Sequence, residues 1–98
     1  DRSDIGVLLG NIRHLQHEGT MTTVGKENLA GRATTHVSVV GPGTMVVDGV
    51  HRYDVWLDNY HGLPAKVISY APDGQRLETV LLDAIVINIR FPANFFSP

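Results

Sequence analysis

The stretch His51-Arg52-Tyr53-Asp54-Val55-Trp56-Leu57-Asp58 decides the fold. Tyr53, Val55 and Leu57 fall on one side of an extended chain; Arg52, Asp54, Trp56 and Asp58 fall on the other. Successive side chains of a strand point to opposite faces, so this period predicts a strand with one apolar and one polar face. Asn59-Tyr60-His61-Gly62-Leu63-Pro64 follows as a turn. Ala65 to Ala71 reads as the next strand, and Pro72-Asp73-Gly74-Gln75 carries the Asp-Gly signature of a hairpin. Arg76 to Ile89 reads as a last strand, long enough to need a bend or bulge.

Upstream, Arg32 to Val40 alternates as a strand, with Ala33, Thr35, Val37 and Val39 on one face and Thr34, His36 and Ser38 on the other. Gly41-Pro42-Gly43 breaks it, and the loop to Gly49 carries Met45, Val46 and Val47. Thr20 to Asn28 alternates loosely, and Gly31 marks a turn or bulge. Before Gly19 the period changes. Ile5, Leu8, Leu9, Ile12 and Leu15 form one stripe at helical spacing, which predicts a helix over about residues 4–17, capped by Ser3 and stopped at Gly19. Gly6 and Gly10 each cost about 1 kcal/mol against alanine, so that helix depends on packing. A helix followed by five or six strands on short turns is α+β with an antiparallel meander.

Composition narrows the classes of function. The chain has 98 residues, 43% hydrophobic and 18% charged, with a net charge of -2. That is one domain with a modest core, too apolar for a disordered chain. No apolar run reaches the roughly 20 residues of a membrane-spanning helix. Eight basic residues against ten acidic ones, scattered along the chain, argue against nucleic-acid binding. Zero cysteines remove disulfides, thiol catalysis and thiolate metal sites.

Few residues suggest chemistry. His14 and His17 share a helical face and could reach one metal, but no third ligand is in view; solvated surface histidines are the plainer reading. Asp54 and Asp58 share a strand face near Arg52 and Lys66, which suits cross-strand ion pairs better than acid–base work. There is no G-x-S-x-G, and Gly41-Pro42-Gly43-Thr44 lacks a Walker lysine. The expectation is a non-enzyme without cofactor or metal.

The last two strands depart from clean alternation. Val67 faces one way while Ile68 and Tyr70 face the other. Leu77, Leu81, Ile85, Ile87 and Ile89 fall on one side, Val80, Leu82, Ala84 and Val86 on the opposite one. A single short helix covers one face only. A further segment, a second subunit or an apolar ligand is expected on the other. Trp56, on the charged side of its strand, either packs beneath the stems of Arg52 and Lys66 or lines an apolar cavity.

Several motifs, in order, resemble the LolA-like proteins. Val24-Gly25-Lys26-Glu27-Asn28-Leu29-Ala30-Gly31-Arg32 looks like their first strand–turn, His51 to Asp58 like their "h-r-y-x-v-W-l-D" strand, and Gly62-Leu63-Pro64 like the turn after it. Asp73-Gly74 matches the next hairpin, and Ile87-Asn88 with Phe95 resembles the closing segment. The group includes periplasmic lipoprotein carriers and the N-terminal domain of the RseB/MucB stress sensors. The resemblance implies a curved antiparallel sheet forming a partial, half-open barrel, with helix packed on its concave side. It implies an exported, non-enzymatic protein of the periplasm or cell envelope. It also implies that residues 1–98, a single domain, are a fragment or half of a larger LolA-like domain; the apolar, proline-flanked end of the chain reads on its own residues as a packed segment over 90–98.

Function is then expected to be binding of lipid, lipoprotein acyl chains or another apolar ligand on the concave face. The residues expected to line it are Trp56, Ile68, Tyr70, Val80, Leu82 and Val86. The alternative is a protein-interaction, sensory or homodimerisation module that uses the same apolar face. Membrane contact would be peripheral at most.

Overall fold

A computed structural model describes residues 2–82, with side chains from Ile5 onward. The last part of the expected final strand, Val86 and the 90–98 segment lie outside the described residues. The elements are α1 (Arg2–Glu18), β1 (Thr20–Leu29), β2 (Arg32–Val40), β3 (Arg52–Asp58), β4 (Pro64–Tyr70) and β5 (Arg76–Leu81). The strands form one antiparallel sheet in the order β1-β2-β3-β4-β5, so each pairs with its neighbour in sequence. The sheet curves without closing, which makes the fold α+β and half-open. The helix begins earlier than expected, so Ser3 lies inside its first turn rather than at its cap.

The register defines two faces. On one, Val37, Val55, Val67 and Val80 line up across β2 to β5. Val39, Tyr53, Ser69 and Glu78 form the adjacent row. Leu9, Ile12 and Leu15 of α1 are fully buried in one cluster with Val37, Val39, Tyr53, Val55 and Val67. The helical stripe and the strand period thus meet in a single core, as the sequence predicts. Val50, Leu63 and Leu82 complete the cluster.

Tight turns hold this register. Ala30 and Gly31 form the two-residue link from β1 to β2, with φ of 49° and 83°. Positive φ at both positions is the turn whose twist matches a hairpin, and Asn28 Oδ1 accepts the Gly31 N–H at 2.9 Å. In the β4–β5 turn, Asp73 Oδ1 accepts the Gln75 N–H at 2.9 Å. The β2–β3 connection contains a smaller hairpin. Val47 and Val50 exchange backbone hydrogen bonds around Asp48 and Gly49, which have φ of 53° and 80°.

The junction between helix and sheet is close-fitting. Only Gly19 separates α1 from β1, and a Cβ there would lie 1.9 Å from the Val40 carbonyl oxygen. A glycine is required for that approach of backbone to backbone.

Candidate functional site

The face away from α1 is built from paired polar groups around one tryptophan. His36, Trp56, Lys66 and Leu81 line up across β2 to β5. The His36 imidazole stacks on the Trp56 ring with centroids 4.1 Å apart, and Lys66 Nζ lies 4.7 Å from the ring centroid. The indole N–H donates to Glu27 Oε1 at 3.2 Å. Of the two readings of Trp56, packing beneath a lysine stem is the one seen. Arg52 does not share in it; its guanidinium sits over Tyr70, 4.0 Å from the ring centroid.

Charges pair around this row. Asp54 lies 3.3 Å from His36 Nε2 and 3.5 Å from Arg52 Nε. Asp58 accepts Arg32 Nε–H at 2.9 Å and the Tyr60 backbone N–H at 2.7 Å. Burial pushes the Asp58 carboxyl up, but the Tyr60 amide, Arg32 and His61 outweigh it and hold the group below its ordinary value. Asp54 and Asp58 are therefore ion-pair members. Among the described residues, no group of His, Asp and Glu could hold a metal ion.

On the helix side a cleft of about 330 Å³ opens between the N-terminal half of α1 and the β3–β5 part of the sheet. Val7, Leu8 and Asn11 form its helical wall; Val50 and Leu77 add apolar surface. Its floor is the cross-strand row Tyr53, Ser69 and Glu78, and Asp48 of the small hairpin closes one side. Burial pushes the Tyr53 phenol from 10.0 up to about 12; the Asp48 and Glu78 carboxylates push the same way, against a hydrogen bond to the Asn11 side chain.

The structure separates the residues expected to line one surface. Trp56, Ile68 and Tyr70 lie on the face away from α1, where Trp56 and Ile68 are buried. Val80 and Leu82 pack with the helix-side core. Leu77 and Leu81, expected on one side, also separate. The pairing shifts between Tyr70↔Arg76 and Ser69↔Glu78, and the bulge turns Leu77 into the cleft while Leu81 stays 77% exposed beside Lys66. Asn11, Asp48 and Glu78 were not expected at a site. Asp48-Gly49 between Val47 and Val50 carried a readable hairpin signal. Asn11 and Glu78 carried none.

No protein-family profile and no curated protein sequence matches the chain. Solved structures do. A domain of Vibrio parahaemolyticus assigned as an outer membrane lipoprotein-sorting protein aligns over 68% of this chain, with a TM-score of 0.61 and 22% identity. The MucA/MucB complex of Pseudomonas aeruginosa aligns over 68%, with a TM-score of 0.57 and 25% identity. The chain spans 28% and 22% of the length of those chains. The fold found here is the one that the strand motifs resemble: the chain has the LolA-like fold shared with lipoprotein-sorting and MucB proteins.

Proposed function

We propose that the chain is a non-enzymatic binding module of the periplasm or cell envelope that takes an apolar ligand, such as the acyl chain of a lipid or lipidated protein. The cleft beside α1 carries this reading. Val7, Leu8, Val50 and Leu77 give it apolar walls beside its polar groups, and it has the volume of a small-ligand site. Val80 and Leu82 stand on the same side of the sheet. The likeness in fold to a lipoprotein-sorting domain supports it. Membrane contact in this reading is peripheral; no helix of the described residues is long and apolar enough to cross a membrane.

The opposite face favours a second reading. Trp56, Ile68 and Tyr70 share it with the exposed Leu81, amid charged groups. Such a mixture of aromatic, aliphatic and charged side chains suits a polypeptide partner or a second copy. The likeness to a protein solved as a complex with another polypeptide points the same way.

Native mass spectrometry of the full chain, followed by solvent extraction, separates the two. A monomer with a heterogeneous lipid-sized adduct is the expected result. Leu77→Glu, which sets a carboxylate in the cleft at a half-exposed position, should lose the adduct and keep the wild-type circular dichroism. A ligand-free dimer would overturn the first reading in favour of the second.

A further inference from the structure

The same cleft is charged in one sense. Two carboxylates, Asp48 and Glu78, line it, and both are exposed, which puts them at its mouth. Among the described residues lining it there is no lysine, arginine or histidine. Neither carboxylate has an ion-pair partner among the described residues. On the far face the acids are partnered: Asp54 meets His36 and Arg52, Asp58 meets Arg32 and His61, and Glu27 accepts the indole N–H. The remaining polar groups are neutral. Asn11, Ser69 and the Tyr53 hydroxyl offer hydrogen bonds without positive charge, and the phenol stays protonated up to about 12. Apolar walls strengthen the field of the two carboxylates inside such a concavity.

We infer that the cleft selects an amphiphile with a cationic head: an alkylammonium or guanidinium group on an apolar stem. The stem lies against Val7, Leu8, Val50 and Leu77, and the cation sits between Asp48 and Glu78. A ligand ending in sulfate, phosphate or carboxylate meets two like charges with no compensating donor of formal charge. The inference rests on the apolar-ligand reading and adds the sign of the head group.

The test compares three probes of one chain length, octylammonium, octanol and octyl sulfate, each below its micelle concentration. Binding to the full chain is followed by backbone amide shifts of Val7, Leu77 and Glu78. Octylammonium should bind on the order of tenfold more tightly than octanol, and octyl sulfate most weakly, with the spread shrinking in high salt. The double variant Asp48→Asn, Glu78→Gln should bring octylammonium down to the affinity that the same variant has for octanol. Asparagine accepts the positive φ at position 48, and Trp56 emission on the far face reports that the fold is intact. Equal binding of the three probes, or tightest binding of the sulfate, overturns the cationic head and leaves the apolar-ligand reading standing. Binding of none of them overturns both.

Discussion

At the scale of single residues, two groups make stability depend on pH in opposite senses. Asp58 is nearly buried and held by Arg32 and the Tyr60 amide, so its carboxyl is depressed in the folded chain. A depressed acid contributes stability above its unfolded value near 3.8, and that contribution disappears as pH falls through the lower folded value. Tyr53 behaves conversely. Its phenol ionises at 10.0 when unfolded and at about 12 when folded, so stability falls as pH rises from 10 to 12. Denaturant midpoints measured across pH should show both limbs. Asp58→Asn should flatten the acid limb, and Tyr53→Phe the alkaline one. A spectrophotometric titration should also find one phenol ionising at about 12. The charged surroundings of Trp56 were legible from the alternation of 51–58. Its stacking partner His36 was not, because that contact depends on the register between β2 and β3.

At the scale of elements, two glycines near α1 have opposite meanings. Gly10 faces open space, and a methyl group there would meet nothing within 4 Å. Gly10→Ala should stabilise the chain by roughly 0.5–1 kcal/mol through helix propensity alone. Gly19→Ala would drive a Cβ against the Val40 carbonyl and the Gly41 backbone. It should destabilise by more than that gain, because backbone atoms cannot step aside as a flexible side chain can. Thermal melts of the two single variants should therefore move in opposite directions. The sequence announces the elements themselves, since the stripe Ile5–Leu15 and the alternation in β2 and β3 are strong periodic signals. It misplaces Leu77 because a bulge inserts one residue into the period, and a strict count of two then assigns the wrong face.

At the scale of the whole molecule, the core was legible and the cleft was not. The core is a consequence of periodicity, and every residue in its helical stripe was readable as such. The cleft assembles Asn11 from a helix, Asp48 from a connecting hairpin and Glu78 from the last described strand. These positions are remote in sequence, and nothing local to any of them reveals the others. Trp56, Ile68, Tyr70, Val80 and Leu82 were expected to line one surface, whereas the sheet divides them between its two sides. Fold likeness to longer proteins adds the architecture and leaves the head group of the ligand to this chain's own side chains.

The strand order has one more consequence, and it concerns time. Each strand pairs with the strand before it, so the sheet of the described residues contains no crossover. Loop closure is short at the β1–β2, β3–β4 and β4–β5 turns, and the longer β2–β3 connection is tightened by its own hairpin. The long-range event is the docking of α1, whose buried leucines and isoleucine join one cluster with Tyr53 and Val55 of β3 and Val67 of β4. Stopped-flow refolding should accordingly be fast for a sheet protein. Truncating Ile12 to alanine should act mainly on the unfolding limb if the hairpins form first, and equally on the folding limb if the helix is part of the nucleus.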